Sequence, residues 1–137
     1  MSGHPQYPQP IADEQNRPML DGWKAGKLLL QHCRSCATTY FYPRAMCPHC
    51  WSDDIEWREA SGDGSVVSFS LIYRPNQASF NAEAPIALAE IRLAEGAAML
   101  ARIVGAPPEA IRTNAAVRLS RDPNEVARYP LPVFHLR

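Results

Sequence analysis

The sequence predicts a mainly β protein in which a short helix and a cysteine-rich ribbon precede a five-stranded barrel. Three observations support this fold class. The four cysteines of the 137-residue chain form two C-x2-C pairs within residues 33–50. Several segments after residue 60 alternate apolar and polar side chains, as half-buried strands do. Glu95 and Gly96 lie between two such segments, where a hairpin turn is expected.

The first predicted element is a short helix that begins near Pro18, since proline suits the first helical turn. Met19, Leu20 and Trp23 give this helix an apolar side, and Gly26 suits the left-handed position just past its end. We expect residues 1–17, which are rich in proline and polar residues, to form a disordered tail without a signal-peptide pattern.

The ribbon is predicted from three short apolar segments around the cysteines. Residues 28–30 lead into Cys33 as a first strand, residues 38–42 return, and Ile55 with Trp57 marks a third strand. We therefore predict a helix and ribbon over residues 18–59. The barrel is then expected over residues 60–137, after a boundary near Ala60.

The cysteine spacing predicts a structural zinc site. The candidate ligands are Cys33, Cys36, Cys47 and Cys50. Two intervening residues let one tight turn direct both sulfurs at a single ion, and two such turns complete a tetrahedron. Zinc is preferred because no cysteine is left over, and the alternatives are rubredoxin-like iron, which comes next, a redox dithiol, and two disulfides. His32 and His49 flank cysteines, but four sulfurs already fill the coordination shell.

The barrel strands follow from alternation and from turn residues. Residues 67–73 form a strand whose buried face is predicted to comprise Val67, Phe69, Leu71 and Tyr73. The alanines of residues 86–104 also suit a helix. The Glu95-Gly96 turn favours two strands instead, over residues 86–93 and 98–104.

The last part of the chain predicts one helical turn and two further strands. Pro107 and Pro108 begin the turn, which reaches Ile111. Val117 with Leu119, and then residues 133–136, supply the final strands. Five strands with a short helix between the third and the fourth are typical of a small Greek-key barrel of the OB type.

Charge and hydropathy exclude several classes. Fourteen basic and fourteen acidic residues give no net charge, and residues 60–137 carry eight basic against seven acidic residues. A single-stranded nucleic-acid-binding protein remains the alternative function, but such proteins need a basic track with stacking aromatics. No segment is long and apolar enough for a membrane span. Four metal-bound thiolates fit a reducing compartment, so we expect a cytoplasmic protein.

An ordered set of motifs resembles one known family. The motifs are residues 26–33, Phe41-Tyr42-Pro43-Arg44, Cys47-Pro48-His49-Cys50, Gly62-Asp63-Gly64, Ala84-Pro85 and Leu131-Pro132-Val133-Phe134. From about Pro18 to Phe134 the chain resembles domain-of-unknown-function family 35, whose members combine a rubredoxin-like zinc ribbon with an OB fold. The resemblance implies a small, non-catalytic partner of a thiolase-superfamily enzyme, such as a thiolase or a thiolase-like aldolase. It also implies acyl-CoA binding or a shared coenzyme A channel, and hence a role in lipid metabolism.

The chain departs from the family pattern at two positions. Ala37 and Trp51 follow the second and fourth cysteines, where the family commonly has glycine. We expect left-handed turns there at a cost of about 1 kcal/mol each, which a structural zinc site worth roughly 10 kcal/mol outweighs. Trp51 is expected to cover the metal cluster, with a role as an exposed partner anchor as the alternative.

No catalytic group is predicted, because neither His4 nor His135 has a nucleophile beside it and no G-x-S-x-G motif occurs. A stand-alone thioesterase or hydrolase is therefore a remote alternative. The predicted ligand-binding residues are Arg44, Arg58 and Arg74, since arginine makes fork-like contacts with phosphate. The predicted partner-binding residues are Phe41 and Trp51. At least one of the ribbon aromatics at positions 40–42 should pack between ribbon and barrel.

Overall fold

The structure is a computed structural model that describes residues 7–137. The described residues form two α-helices and eight β-strands: α1 Arg17–Lys24, β1 Leu29–Cys33, β2 Thr39–Tyr40, β3 Ile55–Glu59, β4 Asp63–Ile72, β5 Ile86–Leu93, β6 Ala98–Ile103, β7 Ala116–Leu119, α2 Pro123–Arg128 and β8 Val133–Leu136. Two 3₁₀ segments, Ala78–Glu83 and Pro108–Ala110, lie between barrel strands. No helix in this part of the chain has the length and apolar character needed to cross a bilayer.

Helix α1 and the ribbon form where the sequence predicts them. Pro18 lies in the first turn of α1, and Met19, Leu20 and Trp23 are buried. Gly26 follows the helix with a φ of +79°, a conformation that costs glycine little. The ribbon sheet has the strand order β2-β1-β3, and both pairings are antiparallel.

The barrel is closed, with the strand order β4-β5-β6-β8-β7. Its pairings are antiparallel except between β6 and β8, where Arg102 and Ile103 lie parallel to Val133 and Phe134. The Pro108–Ala110 turn lies between the third and fourth barrel strands, as expected. The prediction of a mainly β chain with an OB-type, five-stranded barrel is confirmed, and so is the choice of two strands over residues 86–104.

A bulge in β4 corrects the predicted buried face of that strand. The register with β5 shifts between Val66 and Ser68, so one extra residue enters the strand. Such an insertion reverses the parity of the side chains. Val66 is therefore buried and Val67 is 37% exposed, while Phe69 and Leu71 pack against the core. Tyr73, which we placed on the buried face, lies just beyond β4 and is 66% exposed.

One hydrophobic core extends from α1 and the ribbon into the barrel. It contains Trp23, Leu28 and Phe41 together with barrel residues such as Val117 and Phe134. The backbone N–H of Ala60 donates to the carbonyl of Leu28 at 2.8 Å, and Ala60 itself is buried. The hydrophobic packing is thus continuous across residue 60. The domain boundary near Ala60 stays a prediction.

The N- and C-terminal parts of the chain meet beside α1. The indole N–H of Trp23 donates to the carbonyl of Tyr129 at 2.8 Å. Residues 1–6 of the predicted tail lie outside the described residues. Tyr7, also within that tail prediction, has a buried ring stacked between Phe80 and Tyr129, with centroid distances of 5.2 and 5.7 Å.

Candidate functional site

The four cysteine sulfurs converge at the end of the ribbon. Cys33 ends β1, and the turn after it brings Cys36 back toward the same point. Cys33 Sγ lies 3.6 Å from Cys50 Sγ, and Cys36 Sγ lies 3.6 Å from Cys47 Sγ. All four sulfur atoms lie within 4.8 Å of one another. The two C-x2-C pairs, separate in sequence, therefore form one quartet.

Two similar turns hold the quartet. The N–H of Ala37 donates to the carbonyl of Cys33 at 2.8 Å, and the N–H of Trp51 donates to the carbonyl of Cys47 at 2.9 Å. Ala37 has a φ of +65° and Trp51 a φ of +68°. The left-handed turns expected at these two non-glycine positions are therefore present, and each keeps the cost of about 1 kcal/mol for an L-residue.

The donor set fits a tetrahedral metal ion. A metal–sulfur distance of about 2.3 Å implies sulfur–sulfur distances of roughly 3.8 Å in a regular tetrahedron, close to the two 3.6 Å separations. The ring Nδ1 of His32 lies 2.8 Å from Thr39 Oγ1, so this histidine has a partner in the ribbon. Four sulfurs leave no open coordination position, which is the pattern of a structural site.

The surroundings of the quartet act in different directions on its sulfur atoms. The backbone N–H groups of His49 and Cys50 point at Cys47 Sγ, at 3.3 and 3.5 Å. Hydrogen bonds with the Thr38 hydroxyl and backbone lower the pKa of Cys36 to about 6. The pKa of Cys50 is raised to about 12: a backbone hydrogen bond with Ser52 lowers it, but burial and hydrogen bonds from the other cysteines outweigh that effect. Neighbouring groups thus shift the pKa values of Cys36 and Cys50 in opposite directions.

Trp51 does not cover the metal cluster, contrary to our expectation. Its side chain is 75% exposed. The turn that ends at Trp51 already directs the N–H groups of His49 and Cys50 at Cys47 Sγ, so the indole is not needed for this purpose. The structure instead leaves a large aromatic ring in solvent at the end of the ribbon.

Side-chain hydrogen bonds that the sequence does not predict hold the loop before Cys47 to β1 and to the barrel. Gln31 is 5% exposed although it is polar. Its amide accepts from the N–H of Arg44 at 2.8 Å and donates to the carbonyl of Arg44 at 3.1 Å. Tyr42 lies at the start of the same loop, and its hydroxyl accepts from the N–H of Leu100 in β6 at 2.9 Å. These bonds fix the loop that leads to Cys47.

The predicted partner-binding residue Phe41 lies in the interior. Its side chain is 6% exposed, belongs to the common core, and meets the ring of Tyr42 edge-on with centroids 5.0 Å apart. Phe41 is therefore the ribbon aromatic that packs into the core shared with the barrel. Of the two residues predicted to contact a partner, Trp51 presents its ring on the surface.

The three predicted ligand-binding arginines lie in different places. Arg58 is on the ribbon surface and pairs with Glu56, whose pKa the Arg58 guanidinium lowers. Arg44 is exposed in the loop before Cys47, and its side chain forms no ion pair with the residues that the structure describes. Arg74 is exposed at the edge of an apolar pocket on the barrel. The structure does not bring the three arginines to one site.

The pocket beside Arg74 has a volume of about 470 Å³. Its lining includes Leu88 of β5 and Leu100 of β6, together with Phe80 and Leu131. This volume lies within the range of about 300–1,000 Å³ that small-molecule sites occupy. The pocket combines an apolar interior with a cationic group at its edge, and therefore suits an amphipathic anion.

A charged cluster holds one wall of the pocket in place. Glu83 accepts hydrogen bonds from Tyr7 at 2.6 Å and from Arg102 at 2.8 Å, and Arg128 lies 3.3 Å away. Both guanidinium groups also lie over the ring of Tyr129, at 5.2 and 5.4 Å. Burial, followed by the hydrogen bond with Glu83, raises the pKa of Tyr7. The cluster ties the 3₁₀ segment that ends at Glu83 to the barrel.

The chain is of the class in which a ribbon with a four-cysteine metal site precedes an OB-fold barrel. Family models match both halves: the ChsH2 rubredoxin-like zinc ribbon domain over residues 20–56, and the ChsH2 C-terminal OB-fold domain over residues 57–121. A solved structure, the Ltp2-ChsH2(DUF35) aldolase, is similar with a TM-score of 0.77 and 31% identity, covering 93% of this chain and 98% of that chain. The chain belongs to the DUF35 family, as its motifs indicated.

Similar proteins from other organisms carry names of two kinds, an enzyme subunit and a scaffold protein. A probable enoyl-CoA hydratase alpha subunit of Thermomonospora curvata is 32% identical over 130 residues, which are 93% of this chain and 39% of that protein. A DUF35 domain-containing scaffold protein of Methanocaldococcus jannaschii is 36% identical over 78 residues, which are 56% of this chain and 55% of that protein. A DUF35 family structure from Sulfolobus solfataricus shares the fold, with a TM-score of 0.63 and 20% identity, covering 88% of this chain and 83% of that chain. The match thus spans about half or less of these two curated relatives.

Proposed function

We propose that this chain is a non-catalytic scaffold subunit that docks on a thiolase-like enzyme and helps to hold its acyl-CoA substrate. The similarity to the Ltp2-ChsH2(DUF35) aldolase carries the proposal, because it extends over 98% of that chain. The scaffold names of archaeal relatives support it. The single feature of the structure that fits this role best is a rigid ribbon with an exposed aromatic ring at its end.

The metal in this proposal is zinc, held by all four cysteines. Cys33, Cys36, Cys47 and Cys50 form a closed sulfur shell of the right size. When bound, zinc would cross-link the two turns without offering a position for substrate. Its role is therefore to stiffen the ribbon. Thiolates that must stay reduced also support the expected cytoplasmic location.

Trp51 is the proposed contact with the enzyme. Tryptophan is enriched among residues that dominate binding energy at protein interfaces. The ring is 75% exposed, while its backbone is held by the bond to the carbonyl of Cys47. A large side chain on a fixed backbone loses little conformational freedom when a partner covers it.

The pocket beside Arg74 is the proposed site for the acyl part of the substrate. Leu88 and Leu100 offer apolar surface to the chain, and Arg74 has no ion-pair partner among residues 7–137. A free guanidinium can contact a phosphate or carboxylate at the rim. This arrangement supports binding of an amphipathic anion.

Replacement of Cys47 by serine tests the link between metal and docking. We expect Cys47→Ser to release the metal and to lose the enzyme in the same step, because three thiolates no longer close the shell. The tagged full-length chain is used for affinity capture, mass spectrometry identifies the co-purified enzyme, and elemental analysis of the same sample identifies the metal.

His49→Ser is the matched control, since it changes an exposed neighbour in the same turn and should keep both metal and enzyme. Trp51→Ala should keep the metal and lose the enzyme. A metal-free Cys47→Ser protein that still captures a thiolase-superfamily enzyme would refute the docking role of the ribbon, and capture of no such enzyme by the wild type would refute the scaffold function.

The ligand part of the proposal is tested separately with a fluorescent acyl-CoA. Arg74→Ala should weaken its binding about tenfold, the value of one lost charged hydrogen bond. Arg112→Ala removes an equally exposed arginine that does not line the pocket, and should leave binding unchanged. Equal affinity of wild type and Arg74→Ala would place the ligand elsewhere.

A further inference from the structure

Strand β4 has one edge that is only partly paired. It pairs with β5 along its length, from Gly64 to Ile72. On its other side it pairs with β7 only at residues 63–65, and Val66 then exchanges hydrogen bonds with the loop before β7. Within residues 7–137, no backbone group bonds to this side of β4 beyond Val66. Residues 67–72 thus form an open strand edge in the otherwise closed barrel.

The residues of this edge lack the usual protection. Edge strands are commonly guarded by lysine, by other charged residues or by proline, because their free N–H and C=O groups can pair with another chain. Residues 64–73 read Gly-Ser-Val-Val-Ser-Phe-Ser-Leu-Ile-Tyr, with neither charge nor proline. The bulge beside Val66 is the only such device in the segment, and it precedes the open part. The edge is therefore competent for strand addition.

The alternation of backbone directions along β4 determines which of its N–H and C=O groups lack a partner strand. Ser68 and Ser70 lie opposite Glu90 and Leu88 of β5, with their side chains on the outer face. The N–H and C=O groups of Val66 point away from β5, toward the loop before β7. Alternate residues of a strand direct their backbone N–H and C=O groups to opposite sides. After the bulge, the backbone groups of Phe69 and Leu71 are therefore the ones that point away from β5.

We propose that the open edge of β4 pairs antiparallel with the same edge of a second copy of this chain, about a two-fold axis at Ser70. In this register Phe69 of one copy lies opposite Leu71 of the other, and each pair exchanges two backbone hydrogen bonds. Ser70 lies opposite itself. The sheet β5-β4 of one subunit then continues into the sheet of its partner.

Charge and shape favour a second copy as the occupant. Because residues 64–73 are uncharged, the two-fold places no like charges opposite each other, and Arg74 falls opposite the apolar Val66. The Phe69–Leu71 pairs are aromatic–aliphatic contacts, which stabilise sheets. Val67 and Tyr73, 37% and 66% exposed, gain cover at the ends of the paired segment. An isologous contact of this kind closes as a dimer and leaves no further edge.

The test is the self-association of the full-length, metal-loaded chain by analytical ultracentrifugation over a range of concentrations. We expect a monomer–dimer equilibrium for the wild type. Ser70→Lys should weaken dimerisation at least about fivefold, since two lysines then lie directly opposite each other. Ser65→Lys is the matched control, because its position on β4 is already paired on both sides, and it should dimerise like the wild type.

Hydrogen exchange gives an independent measurement. The amides of Phe69 and Leu71 should become protected as the wild-type concentration rises, and should not do so in Ser70→Lys. A wild type that stays monomeric, a dimer whose β4 amides remain unprotected, or equal dimerisation of Ser70→Lys and wild type would each overturn the proposal. A monomer that still captures its enzyme would overturn the dimer and leave the proposed function intact.

Discussion

Ala37 and Trp51 hold left-handed conformations that glycine would adopt without strain. Their φ values are +65° and +68°, and each N–H closes the turn around a metal-binding pair of cysteines. The cost of about 1 kcal/mol per residue is small beside roughly 10 kcal/mol for a structural zinc site. The metal can therefore hold residues in a conformation that local preference opposes.

Substitution of Ala37 by glycine should stabilise the protein by about 0.5 kcal/mol. The change relieves about 1 kcal/mol of left-handed strain and loses part of this gain to the greater freedom of glycine in the unfolded chain. Thermal or denaturant unfolding of the metal-loaded protein measures the difference.

Ala45→Gly is the control for this prediction. Ala45 is exposed in the loop before Cys47 and does not have a positive φ. The same substitution there should destabilise the protein by about 0.5–1 kcal/mol. If both glycine variants shift the stability in the same direction, strain at Ala37 is not the cause.

At the residue scale, the sequence predicted the convergence of the cysteines better than the contacts of polar side chains. A C-x2-C turn has few ways to place two sulfurs, so spacing alone predicts the quartet. Gln31 gave no such signal, because its partner is the backbone of Arg44, thirteen positions away. For Trp51 the sequence left two positions open, packing on the metal cluster and exposure as a partner anchor, and the structure has the ring exposed.

At the element scale, long alternating segments were predicted well and short or irregular ones were not. Strands β5 and β6 followed from a turn at Glu95-Gly96. Helix α2 was missed although the Asp122 side chain caps it by accepting from the N–H of Asn124. Six residues are too few for helical periodicity to show. The bulge after Val66 was also invisible, because one extra residue changes side-chain parity without changing composition.

The two hydrogen bonds of Gln31 couple strand β1 to the loop before the second cysteine pair. Gln31→Ala should destabilise the protein by about 1–3 kcal/mol, since it leaves the Arg44 peptide without its buried partner. Gln31→Glu keeps the acceptor for the Arg44 N–H but removes the donor to its carbonyl, so it should also be less stable than wild type. Denaturant unfolding measures both variants.

The matched control for Gln31 is His32→Ala, its neighbour on the same strand. His32 is half-buried and makes one side-chain contact, with Thr39. Its loss should cost less than that of Gln31. A Gln31→Ala protein as stable as wild type would show that water satisfies the Arg44 peptide.

At the scale of the whole molecule, one buried cluster joins the ribbon to the barrel, so we expect the two to unfold as one unit. Leu28, Leu30 and Phe41 of the ribbon belong to the same buried cluster as Val117 and Phe134 of the barrel. Loss of the metal would remove the cross-link between the two ribbon turns. The apolar ribbon residues would then be held less firmly in the common core. The effect should reach the barrel.

Metal removal by a chelator should therefore lower the midpoint of thermal unfolding by at least about 10 °C, since a loss of about 3 kcal/mol suffices for such a shift in a chain of this size. Calorimetry should show one transition before and after removal, and zinc should restore the original midpoint. An unchanged midpoint, or separate ribbon and barrel transitions in the metal-loaded protein, would contradict a single unit.

The bond between the Trp23 indole and the Tyr129 carbonyl joins positions 106 residues apart. During synthesis α1 leaves the ribosome long before Tyr129 is translated, so this bond can form only after strands β1 to β7 have been made. We expect the metal site, whose ligands all lie within residues 33–50, to be complete before α1 finds its final position. Maturation would thus begin at the cysteine quartet and end with a contact between two distant parts of the sequence.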